Sequence, residues 1–309
     1  MKKHLNPHCF MFNSIAMGDV ICGVPVVKHM VENYYTDPGS YLVVAKKHFH
    51  PFFHFIPQDR LLDFDQKANN WGVPPNFAMS ALNTQKNLLT RNTPKHMHLA
   101  QFASLKLADR ILNEKDLRYV PLQPVDISRF GVDFSNSVIL VTSFRDDTRA
   151  WAPKYVLQLA EYVISRGKLP VFIGKTDMDA GIQHRPQNHL PADIGAYGLD
   201  LRNQTSIPEL ATIMGQSLAV CGLDSGPIHL AGTTEVPIVC GYTSVSPEYR
   251  VPYRDRGETF AVVPDIECIG CESKWESHYW NFEKCYLKHI NCCKELTPDK
   301  FIKYLDKIL

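Results

Sequence analysis

The stretch Ala219-Val-Cys-Gly-Leu-Asp-Ser-Gly-Pro-Ile-His-Leu-Ala-Gly232 decides the fold. Leu218 to Cys221 read as the end of a short buried strand, Gly222 to Gly226 as a turn, and Pro227 as the opening of a helix. Proline suits a first helical turn, whose N–H groups lack an intrahelical partner and whose φ the ring already holds. Asp224 and Ser225 stand just before it, and either suits the cap position. Free N–H groups and the helix dipole would make that terminus a site for an anion. A second apolar run, Val236-Pro-Ile-Val-Cys240, follows and ends in Gly241-Tyr-Thr-Ser244. The unit is strand–loop–helix–strand, with polar residues at the carboxyl end of its strand, where open α/β sheets bind ligands. An ordinary capped turn has the same pattern.

Working outward, the alternation repeats. Ser137–Val141 is an apolar strand closed by Thr142-Ser143, then come Arg145, Arg149 and Trp151, and Pro153 opens a helix through Arg166. Leu169–Ile173 is the next strand and ends in Gly174-Lys-Thr-Asp-Met-Asp179. Ser206, Pro208 and Glu209 mark a further helix start, and Asn203 tolerates the positive φ of the loop before it. This alternation predicts a parallel, doubly wound sheet.

The N-terminal half carries a second set. Met11–Ile15 reads as a strand, Gly18-Asp19 as a turn into a helix over Ile21–Tyr35, and Val20, Val24, Val27 and Val31 recur at helical spacing. Tyr41–Ala45 and Arg60–Asp65 read as strands, and Met97–Leu112 as a helix. Between them lie the basic, aromatic segment Lys46–His54 and the polar, weakly patterned residues 66–95. Asp19 reads either as a carboxylate that complements the helix dipole or as a catalytic group. With a linker near Pro121–Phe134, the expected division is residues 1–130 and 131–309.

Several of these residues together resemble one family. Asp224-Ser-Gly-Pro-Ile-His-Leu-Ala-Gly232, Pro237 and Gly241-Tyr-Thr-Ser244 are similar to the signature of the lipopolysaccharide heptosyltransferases, glycosyltransferase family 9. Ser14-Ile-Ala-Met-Gly-Asp-Val20 with Pro25 resembles their N-terminal motif, and Leu199–Leu210 their approach to the donor-site strand. The resemblance covers most of 137–260 and the first 30 residues.

It implies a GT-B fold, α/β, with two Rossmann-like doubly wound domains facing across a cleft: an acceptor-side domain and a domain that holds a nucleotide diphosphate sugar. It makes Asp19 the general base in an inverting transfer, because an acceptor hydroxyl needs a carboxylate within hydrogen-bond reach as it attacks the anomeric carbon. It assigns donor binding to Thr142, Ser143, Arg149, Asp177, Asp224, Ser225, Gly226 and His229. Arg149 stands where the family has Lys, two residues before Trp151, and Asp177 is nearest to its ribose-contacting acid. The implied donor is ADP-heptose and the implied acceptor a lipopolysaccharide core or other surface glycan. No cofactor is required for catalysis, because a cation and fixed dipoles stabilise the leaving group.

Composition sets the limits. The 309 residues are 45% apolar and 21% charged with a net charge of +1, as in a soluble globular protein of two domains. No apolar run reaches the roughly 20 residues that span a bilayer, and the N-terminus breaks before a signal-peptide core, so the expected place is the cytoplasm or the surface of the inner membrane. Residues 1–140 hold 15 Lys and Arg against 11 Asp and Glu, and eight of the 13 histidines, so an anionic partner suits that half. This basic half leaves open a transferase that glycosylates a modified base in DNA. A catalytically silent nucleotide-sugar binding protein that keeps only the fold is a further alternative.

Five of nine cysteines fall in the segment 268–293. Their spacing fits a structural zinc on Cys268, Cys271, Cys285 and Cys292, with His278 or His289 as substitutes, or reduced buried thiols, or disulfides.

Overall fold

The computed structural model describes residues 7–12, 16–64, 77–78, 97–143, 147–175, 190, 193–271, 285 and 289–309. Two compact units form: Met1–Gln123 with Tyr253–Asp255, and Pro124–Pro252 with Arg256–Leu309. A single cut near residue 130 does not anticipate the return of Tyr253–Asp255 to the first unit. There Tyr253 stacks on the His98 ring at 3.7 Å and its carbonyl accepts from Tyr119 N at 2.8 Å.

The first unit is a parallel sheet of β1 (His8–Phe12), β2 (Tyr41–Ala45), β3 (Leu61–Asp63) and β4 (Phe77–Ala78), in the order β3-β2-β1-β4. β1 starts three residues earlier than the sequence suggests, because His8 to Phe12 pair with Tyr41 to Ala45 and bury Cys9, Phe10 and Phe12. Residues 13–15 of the expected strand, and the 66–95 region apart from β4, lie outside the described residues. The helix after β1, α1, spans Met17–Asn33 and buries Val20, Val24 and Val27 from the anticipated stripe. It also buries Ile21 and Cys22, so α1 is enclosed on more than one face. Pro25 lies inside it.

α2 is shorter than the periodicity predicts. It runs Leu99–Ala108 and stops at Asp109, whose φ of 52° is left-handed and ends the helix. The Lys46–His54 segment forms a 3-10 turn over Lys47–Phe53, seated by buried Phe49, Phe52 and Phe53. Fully burying a Phe is worth roughly 1.5–3 kcal/mol, enough to anchor such a turn.

The second unit is a six-stranded parallel sheet of β5 (Ser137–Val141), β6 (Leu169–Ile173), β7 (Leu199–Asp200), β8 (Ala219–Leu223), β9 (Ile238–Gly241) and β10 (Thr259–Val262). Its order, β10-β9-β8-β5-β6-β7, is the dinucleotide-type winding, which reverses direction between β5 and β8. α3 (Pro153–Ser165) buries Val156, Leu159, Ala160 and Val163, a run at helical spacing. α4 (Ile207–Gln216) opens on a capping box of Ser206 and Glu209, after Asn203 at φ 59°. The short α5 spans Gly226–Ala231.

The chain then makes one helical turn at Asn291–Lys294 and ends in α6 (Pro298–Leu305), which rests on α3, β9 and β10. Thr297 precedes α6 but makes no side-chain cap bond, and Pro298 supplies the start instead.

Candidate functional site

The described polar residues that follow β5 and β8 lie at the carboxyl edge of the second sheet. β5 delivers Thr142 and Ser143, and the Thr142 hydroxyl donates to the Ile173 carbonyl at 2.9 Å. Gly174 follows β6 with a φ of 138° that suits glycine, and a Cβ there would lie 2.9 Å from the Ser143 Cβ. This close approach holds Ser143 against the end of β6. Across the reversal point, β8 delivers Asp224 and Ser225.

Here the strand outlasts the sequence reading. Gly222 is not part of a turn: it pairs with Cys240, and a Cβ on it would meet the Val141 Cβ at 2.6 Å. Glycine therefore lets β8 run on to Leu223 beside β5, which puts Asp224 and Ser225 at the reversal itself.

Neither residue caps α5 through its side chain. Ser225 holds the cap position with no side-chain cap bond, and its buried hydroxyl has no hydrogen-bond partner among the described residues. Asp224 is 4% exposed and faces charge instead. Arg149 Nη1 donates to its Oδ2 at 3.2 Å, and His229 Nε2 lies 3.5 Å from Oδ1. Burial alone would raise the Asp224 carboxyl, but the His229 bond and the charges of Arg250 and Arg149 outweigh it and hold the group well below the usual carboxylate range. Asp224 is thus an anion that holds the Arg149 guanidinium and the His229 imidazole at the switch point, with the charge of Arg250 acting on it as well.

Arg149 reaches this place from the turn Asp147–Arg149 that follows β5. His229, buried one turn into α5, is spent at least in part on Asp224. Gly226 is the first residue of α5. Asp177 and Arg145 lie outside the described residues. Arg250 was not singled out from the sequence. It follows the turn Pro247–Tyr249 beyond β9, and no spacing connects it to Asp224.

In the first unit, Asp19 is the third residue of α1, 7% exposed, on the segment that leaves the carboxyl end of β1. β1 is also where that sheet's order reverses, between β2 and β4. The placement matches the ligand-binding position of an open α/β sheet.

The expected metal site is not assembled. Among the described residues, which include Cys268, Cys271, Cys285 and Cys292, no three His, Cys, Asp or Glu are grouped to hold a metal. None of the nine cysteines forms a disulfide. Cys293 turns inward, with its Sγ 3.1 Å from the Thr148 carbonyl. His278 lies outside the described residues.

A two-unit α/β protein with parallel sheets wound about a switch point belongs to the class of Rossmann-like folds. The model of glycosyltransferase family 9 (heptosyltransferase) matches residues 113–278, more than half of the chain, and the chain belongs to this family. Lipooligosaccharide heptosyltransferase 2 of Haemophilus influenzae is 24% identical over 115 residues, 37% of this chain and 33% of that protein. Its Campylobacter jejuni counterpart is 29% identical over 114 residues, 36% of this chain and 31% of that protein. The matches thus span about a third of the length of these curated relatives.

Among solved structures, E. coli ADP-heptose lps heptosyltransferase II superposes with a TM-score of 0.65 at 13% identity, over 97% of this chain and 98% of that one. The iron-containing dodecameric glycosyltransferase TibC of enterotoxigenic E. coli gives 0.71 at 14% identity, over 100% and 77%. These likenesses establish the GT-B fold with its Rossmann-like units. TibC is described as iron-containing, but the residues described here offer no matching ligand group. No helix among the described residues is long and apolar enough to cross a membrane.

Proposed function

We propose that this chain is an inverting glycosyltransferase that moves heptose from ADP-heptose to a hydroxyl of a lipopolysaccharide core, at the cytoplasmic side of the inner membrane. One observation carries the reading: at the switch point of the second sheet, Arg149 and His229 meet the buried Asp224 carboxylate, within the charge of Arg250, next to a Ser225 hydroxyl with no hydrogen-bond partner among the described residues. Guanidinium groups and an unused donor suit the oxygens of a diphosphate. Family membership supports a sugar nucleotide as its bearer, as do the lipooligosaccharide heptosyltransferase relatives and a TibC structure in complex with ADP-D-beta-D-heptose. These relatives lend no support to a DNA acceptor.

In this reading the second unit is the donor side and the first the acceptor side. Arg149 and Ser225 bind the diphosphate, with Arg250 adding charge and Thr142, Ser143 and Gly226 lining the same sheet edge. Asp177 serves the ribose, and His229 with Asp224 orients Arg149. Asp19 takes the proton of the acceptor hydroxyl as that oxygen attacks the anomeric carbon from the face opposite the leaving nucleotide, which inverts the centre. The arginines stabilise the charge on the departing diphosphate, and no metal enters the step.

Melting curves of the protein with ADP, UDP, GDP, CDP and dTDP test the donor. A ligand that binds only the native state raises the melting temperature by mass action. ADP alone should do so at millimolar concentration. A shift with UDP alone would move the assignment to another sugar, and no shift with any of the five would overturn the donor site.

A further inference from the structure

The turn that carries Arg149 is gripped from two sides by groups that the proposed chemistry does not use. The Thr148 carbonyl accepts from the Thr243 hydroxyl at 2.6 Å and from the Cys293 thiol at 3.1 Å. A backbone carbonyl offers two lone pairs, and both are engaged. The Thr148 hydroxyl in turn donates to Ser244 Oγ at 3.2 Å. Three residues downstream of Thr148, Trp151 Nε1 donates to the Leu296 carbonyl at 2.7 Å, and the Tyr155 hydroxyl reaches the Lys294 carbonyl at 3.1 Å. Trp151 also packs its ring 4.5 Å from that of Phe301 in α6. Thr243 and Ser244 belong to the segment just after β9, and Cys293 to the cysteine-rich segment.

We propose that Thr243 and Cys293 are positioning residues for Arg149: by clamping the Thr148 carbonyl they fix the Arg149 turn and so set how tightly the site binds a diphosphate. This rests on the donor-site reading above. Arg149 follows the clamped carbonyl directly, at the end of the 3-10 turn Asp147–Arg149. A guanidinium fork binds phosphate well only if its base is already in place, since ordering it on binding subtracts from affinity. Asp224 holds the far end of the side chain, and the Thr148 clamp holds the near end. The arrangement also gives the cysteine-rich segment work other than metal binding: the stretch from Cys293 to Leu296 braces the stretch from Thr148 to Tyr155.

The test combines amide exchange with a double-mutant cycle, using the full chain and ADP as probe. Without ligand, Thr243→Val should speed hydrogen exchange at residues 148–152, and Cys293→Ala should do so less, since a thiol is the weaker donor. Thr243→Val should weaken ADP binding by about 3–10-fold, the worth of one net hydrogen bond. Thr243→Ser, which keeps the hydroxyl, should restore it. In an Arg149→Met background the same Thr243→Val change should add no further loss, because it acts through Arg149.

Equal losses with and without Arg149 would overturn the inference by showing a merely structural effect. Unchanged exchange at 148–152 in both Thr243→Val and Cys293→Ala would overturn it as well. If the unaltered chain binds no nucleotide, the donor reading falls by itself, and the exchange data still decide whether the clamp exists.

Discussion

The two units wind their sheets alike around the first strand, yet they arm the carboxyl edge differently. In the second unit, Arg149 and His229 meet Asp224 at the switch point, within the charge of Arg250. In the first, the buried carboxylate among the described residues is Asp19, in the first turn of a largely buried helix. A dense charged cluster suits an anion whose shape is the same in every turnover, such as a diphosphate. A single buried acid suits one proton transfer and leaves recognition to its surroundings. The fold supplies the place in each unit, and the side chains divide the labour.

Removal of Asp19 gives the largest expected effect. Asp19→Ala should lower turnover by about 10²–10⁴-fold, the usual contribution of a positioned general base. ADP binding should stay within about twofold, because the change lies in the other unit from the donor cluster. Transfer rates measured beside ADP titrations check both halves. Near-normal transfer would remove Asp19 from the mechanism, and lost ADP binding would erase the division between the units.

How much of this was legible depends on how local the signal is. β5, β6 and β2 can be read residue for residue, because a buried parallel strand is a short apolar run bounded by turn residues. Gly222 was misread because glycine marks both turns and close strand approaches, and only the neighbouring Val141 tells which. β1 was displaced because His8 and Cys9 do not look like core, although pairing with β2 buries them. Asp224, Ser225 and Arg149 stood out, but their partnership did not, since a contact between residues 75 apart leaves no periodic trace. Arg250 and the Thr148 clamp are wholly of that long-range kind. The cysteine spacing fits a metal, buried thiols or disulfides alike because spacing carries no direction, and the contact of Cys293 with the Thr148 carbonyl could not be read from it.

Ser225 gives a smaller and more diagnostic effect. A buried hydroxyl without a partner costs free energy in the ligand-free protein, of order 1 kcal/mol. Ser225→Ala should therefore leave the free protein as stable or slightly more so, while ADP binding weakens by about 3–10-fold. Urea denaturation and ADP titration of the same variant measure the two quantities. A loss of stability with unchanged ADP affinity would mean that Ser225 serves the fold, and the second unit would lose its best-placed donor for the ligand.

The smallest effect separates the units by their helix caps. α2 opens on a box of His98 and Gln101, with no carboxylate, and α4 on one of Ser206 and Glu209. Glu209 accepts from Ser206 N at 2.8 Å and from Arg129 Nε at 2.6 Å. The Arg129 bond, ahead of the Ser206 bonds, pulls its carboxyl from 4.5 down to about 2. A carboxyl lowered in the folded state contributes stability that is complete above its unfolded value near 4.5 and is lost as the pH falls through about 2. Glu209→Gln keeps the capping geometry, since Gln also closes such a box, and deletes only the charge. Because Arg129 is 55% exposed, solvent screens the pair, and the cost at pH 7 should be small. In urea melts the gap between the two proteins should narrow steadily between pH 4.5 and 2, and in 1 M salt at pH 7 it should also shrink. The same pH series on Gln101→Ala should show no such narrowing in that window, because no carboxylate is removed from the first unit's box. A Glu209→Gln gap that stays constant down to pH 2 would mean that the Arg129 contact adds nothing to α4 beyond what a neutral cap supplies.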